Sequence, residues 1–270
     1  SLSDALAQVG GCAATEVSSA QTISMAGTYQ LCQDISGDIT IAASDVLLNL
    51  NNYRVTGGII VASGLEQITI RNGTILNGSS GDGISVNSGT KNVTIENVSI
   101  QNAVRGIHFD TVAKSVIDGV TLTENTTGIQ LANSQNVSIF DSHARSNVQA
   151  GFELLNSSTC CIMNSKALST GLNNTQFFGD ESNVYGFVLN NSFGNIVERC
   201  IASATQNLTA TSFDTRVAGF ALLGTGTQCN KIIACEAANT LINNEGNAIG
   251  YGVFLEQTIT NLANVAPQSA

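Results

Sequence analysis

The chain has 270 residues, 43% of them hydrophobic, with 26 glycines, one proline and 20 acidic against 10 basic side chains, a net charge of −10. So few cations leave no basic stripe to neutralise phosphates, which excludes nucleic acid as a partner. No apolar run approaches the roughly 20 residues a membrane span needs, and the basic and apolar regions of a signal peptide are missing after Ser1.

In chain order, the first expected element is a short helix over residues 3–9 with Ser3 as its N-cap. It belongs to an N-terminal cap over residues 1–36, because a stacked fold must cover an end whose unpaired strand edges would recruit other chains. Ile39-Thr40-Ile41, followed by Val46, Leu48 and Leu50, forms an early coil. From there a glycine followed by two apolar residues around a variable one recurs eight times. The units are Gly58-Ile59-Ile60-Val61, Gly83-Ile84-Ser85-Val86, Gly106-Ile107-His108-Phe109, Gly128-Ile129-Gln130-Leu131, Gly151-Phe152-Glu153-Leu154, Gly186-Phe187-Val188-Leu189, Gly219-Phe220-Ala221-Leu222 and Gly252-Val253-Phe254-Leu255. Successive glycines stand 25, 23, 22, 23, 35, 33 and 33 residues apart. A fixed period means one supersecondary unit stacked on itself.

Inside a repeat the alternation is that of strands. The coil opened by Gly83 has Ile84/Val86, then Val93/Ile95, then Val98/Ile100, each pair enclosing a polar residue. Apolar members point into one core and the enclosed residues point out. Three such segments joined by Asn, Gly and Ser turns describe a three-faced coil whose strands pair in parallel with those of the next. The repeat domain runs over 37–262, and 263–270 reads as a tail. From Gly151 onward the coils lengthen by about ten residues, which emerge as loops on one edge at roughly 172–185, 205–218 and 241–251. Of the seven cysteines, Cys12 and Cys32 flank the start of the fold and could close one bridge, whereas Cys200 and Cys235 occupy equivalent repeat positions. Most read as small buried hydrophobes.

Three stretches carry a resemblance: Gly27-Thr28-Tyr29-Gln30-Leu31-Cys32-Gln33-Asp34-Ile35, Ser44-Asp45-Val46-Leu47-Leu48-Asn49-Leu50-Asn51-Asn52-Tyr53 and Asn92-Val93-Thr94-Ile95-Glu96-Asn97-Val98-Ser99-Ile100. Together they resemble the right-handed parallel β-helix repeat proteins of the pectin-lyase-like superfamily, over about residues 27–260. The resemblance implies an all-β, single-stranded right-handed parallel β-helix of about nine coils and three sheets. It implies a place outside a cell or on the surface of a cell or virion. Members of that superfamily include polysaccharide lyases, glycoside hydrolases, uronate epimerases, phage tailspikes, adhesins and non-enzymatic surface proteins. Their substrates usually lie across the outer face of one sheet, beside long turn loops.

The first strand of each coil is the expected site face, because its outward residues vary most. The central outward position holds Ile60, Ser85, His108, Gln130, Glu153, Val188, Ala221 and Phe254 in turn; the next includes Asn87, Asp110 and Leu223; the preceding one includes Asp82, Arg105, Tyr185 and Tyr251. The N-terminal half of this face is thus polar and titratable, the C-terminal half apolar and aromatic. His108 and Asp110 lie two apart on one strand, about 7 Å along it, and Glu153 stands roughly 10 Å away across two coils. A histidine with neighbouring carboxylates and an arginine suits general acid–base chemistry on an acidic sugar. In that reading His108 is the base, Asp110 and Glu153 are acid or orienting groups, and Arg105 meets a substrate carboxylate. Asp82, Ser85, Asn87, Gln130, Tyr185 and Tyr251 complete the ligand-binding face. An enzyme should gather these groups in a groove with perturbed pKa values, whereas a scaffold should leave them splayed on a flat face. In the apolar half, Phe177, Phe178, Phe213 and Ile249 fold over Val188, Ala221, Leu223 and Phe254 as a lid, or those four residues form an exposed interface.

The catalytic patterns of the resembled enzymes are missing. Polygalacturonases carry paired aspartates and a Gly-His-Gly; here Gly81-Asp82-Gly83 has one aspartate and no Gly-His-Gly occurs. The Arg-X-Pro-X-X-Arg of pectate lyases and the Asp-Pro-His-Glu of epimerases need a proline where this chain has only Pro267. With no tryptophan and 5% aromatics, flat rings for stacking on sugars are scarce. No cofactor is expected, and no cluster has convincing metal-ligand spacing. The expected function is a non-catalytic scaffold or adhesin-like module that binds carbohydrate and self-associates through its apolar face. The alternative is a lyase or glycoside hydrolase acting on an acidic polysaccharide.

Overall fold

The computed structural model of the chain describes residues 14–78, 80–171, 183–207, 216–242 and 249–256. Its strands wind into a parallel β-helix. The first face stacks ten parallel strands: Gln21–Ile23, Ile39–Ile41, Ile59–Val61, Ile84–Val86, Arg105–Asp110, Thr127–Ala132, Ala150–Leu155, Val184–Asn190, Arg216–Leu223 and Ile249–Leu255. The second and third faces form one 17-stranded sheet, because the 11-residue strands Glu66–Leu76 and Lys91–Gln101 run across both. Gln206–Asn207 and Leu241–Ile242 add a small two-stranded ladder.

Two expectations change at the N-terminal end. Residues 15–36, expected within a cap, carry strands: Gln21–Ile23, Gly27–Leu31 and Ile35–Ser36 make one coil that pairs in register with the next, and Thr15–Val17 pairs with Gly27–Leu31 from the coil before it. The first face therefore has ten strands where about nine coils were expected. The helix expected over residues 3–9 lies outside the described residues, as does the tail, and no helix occurs among the described ones.

Alternation sets the register. Ile39, Ile59, Ile84, Ile107, Ile129, Phe152, Phe187 and Phe220 align from coil to coil and are buried. A slip by one residue would turn this whole row to water, so the pairing is strongly specified. Phe152, Phe187 and Phe220 stack with ring centroids 4.7 and 5.0 Å apart, inclined by 5° and 9°. Replacing Phe187 by leucine keeps an apolar filler but removes both ring contacts, and is expected to cost about 1–2 kcal/mol in denaturant unfolding. A loss below about 0.5 kcal/mol would show that the stack adds nothing beyond volume.

The corners explain the asparagine content. Successive coils turn on left-handed residues such as Asn72, Asn92, Asn97, Asn136 and Asn156, with φ between 50° and 59°. Asparagine tolerates that conformation better than other side chains with a Cβ. Each of these five also opens an Asn-X-Ser/Thr triplet, since the next strand carries an outward hydroxyl or, after Asn156, serines. Inside the coil, buried polar side chains replace the missing backbone acceptors. Asn125 Oδ1 accepts the Ala103 N–H at 2.9 Å, Asn147 Oδ1 accepts that of Asn125 at 3.0 Å, and Asn230 Oδ1 accepts that of Asn195 at 2.9 Å. These ladders satisfy groups that burial would otherwise leave unpaired.

Candidate functional site

Four consecutive first-face coils bring their outward polar groups into one hydrogen-bonded chain. Arg105 grips Asp82 with two bonds, Nε to Oδ1 at 2.7 Å and Nη2 to Oδ2 at 2.8 Å. Its Nη1 donates to Gln130 Oε1 at 3.0 Å and to His108 Nε2 at 3.2 Å. Gln130 Nε2 then donates to Glu153 Oε2 at 2.7 Å. Arginine has only donors, so His108 Nε2 must be an acceptor. The ring proton accordingly sits on Nδ1, which faces Asp82 Oδ2 at 3.4 Å.

The cluster is half sheltered: the Asp82, His108 and Arg105 side chains are 12%, 15% and 33% exposed. Burial opposes ionisation of Asp82, but hydrogen bonds from His108 and Arg105 and the Arg105 charge outweigh it and hold the carboxyl below its ordinary range. Arg105 is thus a neutralised, bidentate partner rather than a free cation.

The carboxylate beside His108 is Asp82 rather than Asp110. Asp110 lies outward on the same strand, but its Oδ1 takes Thr111 Oγ1 at 3.0 Å and Asn133 Nδ2 at 3.4 Å. The corner residues capture it, and Asp82 from the preceding coil serves His108 instead. Glu153 joins the cluster only through Gln130. Ser85 Oγ and Asn87 Oδ1 stand 3.4 Å apart beside it. Two shallow grooves lie elsewhere: about 410 Å³ on the second face past Thr28, Thr69 and Thr94, and about 330 Å³ on the third past Thr74, Ser99 and Thr121.

In the apolar half, Tyr185, Val188, Ala218 and Ala221 are 6%, 2%, 0% and 0% exposed, with Leu223, Tyr251 and Phe254 packed against them. Outward-facing though they are, Val188 and Ala221 are buried within the chain, so they do not form the exposed interface considered above. Tyr185 is likewise withdrawn from solvent, and burial pushes its hydroxyl up to about 12. Phe177, Phe178 and Phe213, expected over this patch, lie outside the described residues. At the rim Arg216 pairs with Glu256 at 2.8 Å and lies 5.1 Å from the centre of the Phe254 ring, while Tyr251 tilts against Phe254 at 4.8 Å. Among the described residues no group of three or more His, Cys, Asp or Glu converges as a metal site. Nor is any described helix long and apolar enough to cross a membrane.

The comparison that decides the family is a match over residues 57–263 to the family described as right handed beta helix region. The chain belongs to the right-handed β-helix family. Solved structures share that fold. A point mutant of the periplasmic alginate epimerase AlgG aligns at TM-score 0.51 and 12% identity, over 81% of this chain and 50% of that one. The ORF18 protein of Geobacillus virus E2 aligns at 0.51 and 14%, over 86% and 53%. The pectate lyase Pel9A aligns at 0.51 and 12%, over 98% and 73%. This β-helix spans about half the length of the first two. Identities this low show a shared fold and carry no residue roles. No curated protein matches the chain.

Proposed function

We propose that this β-helix is a non-catalytic surface module, outside a cell or on a cell or virion, that binds a neutral polysaccharide across the polar half of its first face. The observation carrying this reading is the closed network: His108 Nε2 already accepts from Arg105, and Arg105 is already spent on Asp82. The imidazole and the guanidinium of the cluster are thus both engaged within it. A net charge of −10 repels a polyanion. Glu153, oriented by Gln130 through its Oε2, and Asn87 instead suit sugar hydroxyls, which donate to a carboxylate and both donate to and accept from an amide. The likeness to an alginate epimerase and a pectate lyase adds weight to a polysaccharide as ligand.

A second reading rests on one contact. The Asp82–His108 pair holds the ring by Nδ1, as the orienting carboxylate of a general base does, and leaves Nε2 engaged by Arg105. A uronate carboxylate that drew Arg105 away would free that nitrogen for a lyase reaction. Retention on immobilised neutral glucans and mannans, with binding isotherms and assays for unsaturated products and reducing ends on polyuronates, separates the two. The module reading expects neutral-polymer binding weakened about tenfold by Gln130→Ala or Glu153→Ala, with no turnover. Polyuronate turnover abolished by His108→Ala sinks it in favour of the lyase. Absence of any retention removes carbohydrate from both.

A further inference from the structure

In four successive coils the inward position that precedes the third-face strand carries a small hydrogen-bonding side chain: Ser142, Ser165, Cys200, Cys235. The Val120 N–H donates to Ser142 Oγ at 3.4 Å, that of Ser142 to Ser165 Oγ at 3.2 Å, and that of Cys200 to Cys235 Sγ at 3.4 Å. Each side chain also donates to the carbonyl two residues earlier, Phe140 and Met163 for the serines, Glu198 and Ile233 for the thiols. Sulfur has taken the place of oxygen in the last two steps of one ladder.

Two thiols therefore stand one above the other in adjacent coils. The residues that follow them, Ile201 and Glu236, are direct parallel partners. Stacked Cα atoms in such a pair are about 4.8 Å apart, inside the range of roughly 4.4–6.8 Å that a disulfide spans. The other described cysteines lack such a counterpart. Cys160 meets Asn195 in the next coil, Cys161 pairs between Ser138 and Ile196, and Cys32 and Cys229 are exposed.

We propose that Cys200 and Cys235 form a covalent cross-linking site, closed by a small-molecule disulfide of the glutathione class into a bond between adjacent coils. Cys235, partly exposed where Cys200 is buried, reacts first. The Cys200 N–H donates to the Cys235 sulfur at 3.4 Å and, with the adjoining Cys200 side chain, favours its thiolate. The Cys235 thiolate attacks one sulfur of the reagent and expels one thiolate, leaving a mixed disulfide. Cys200 then gives up its proton, attacks the Cys235 sulfur and expels the second thiol. Two protein thiols are oxidised, one reagent disulfide is reduced to two thiols, and one sulfur–sulfur bond replaces another. The closed loop spans one lengthened coil and ties together the last coils of the stack.

The test is incubation of the intact chain with glutathione disulfide, alkylation under denaturing conditions, and non-reducing tryptic mapping. Cleavage after Arg199, Arg216 and Lys231 puts Cys200, Cys229 and Cys235 on three separate peptides. The expected product joins peptide 200–216 to peptide 232–270, two hydrogens lighter than their sum and released by reductant. It should be missing from Cys200→Ser, a variant that keeps the ladder as Ser165 does. The oxidised parent should unfold about 5 °C above its reduced form, with no such gap in the variant. Reagent consumed with both cysteines only glutathionylated, thiols left unreacted, or Cys235 joined to Cys229 would each overturn the proposal.

Discussion

Replacing Gly128 by alanine is expected to destabilise the β-helix by about 3 kcal/mol. A Cβ there would lie 2.4 Å from the carbonyl oxygen of Gly151, with Ala144 Cβ and Asn147 Nδ2 at 3.2 Å. The nearest obstacle is backbone, which cannot swing aside as a side chain can. The same collision repeats along the stack: Gly106 would meet the Gly128 carbonyl at 2.6 Å, and Gly151 that of Gly186 at 2.7 Å. Glycine approaches glycine at one corner of each coil from Gly83 to Gly219, which is the steric origin of the period seen in the chain. Gly81→Ala is the control, because its Cβ would meet only Asn77 at 3.7 Å and should change stability by less than about 0.5 kcal/mol. Denaturant melts that place the two variants within 1 kcal/mol of each other would refute the steric account.

The second large effect lies at Arg105. Arg105→Gln removes both bonds to the Asp82 carboxylate and leaves its burial opposed mainly by His108, at an expected cost of about 2 kcal/mol near pH 7. The sign with pH follows from the Asp82 shift. Its carboxyl titrates lower in the folded chain than in the unfolded one, so the stabilisation is fully present above the unfolded value near 3.9. It is lost as pH falls through the depressed folded value. The gap between parent and variant should therefore be widest at pH 6–7 and shrink towards pH 3. A gap that stays constant over that span would mean that Asp82 does not ionise differently in the two states.

Much of the coil was legible. The pairs Ile84/Val86, Ile107/Phe109 and Ile129/Leu131 stack in the register that their glycines imply, because alternation and period are both backbone properties. The first coil was not, since Thr15–Val17 and Gln21–Ile23 lack the glycine signature and resemble any short polar strand. At the site, Arg105, His108, Gln130 and Glu153 came together as their positions suggested. Choosing Asp82 over Asp110 was beyond the pattern. Asp110 shares the histidine's strand and face, and only the neighbouring Thr111 and Asn133 decide that it turns away. Tyr185 and Val188 misled for a related reason: alternation tells which side a residue faces, not whether that side is covered.

Every described strand pairing joins one coil to the next, and none skips a neighbour. Such a chain should fold like a zipper. Closing a first coil orders some twenty residues before any partner strand rewards it, whereas each later coil adds onto a finished template. Growth can then run in either direction from one nucleus, and the outermost described coils, paired on one side only among the described residues, should exchange their amide protons sooner than the central ones. The sequence distance between partners is the length of one coil however many coils are stacked, so lengthening the solenoid adds steps to its assembly without making any single step harder.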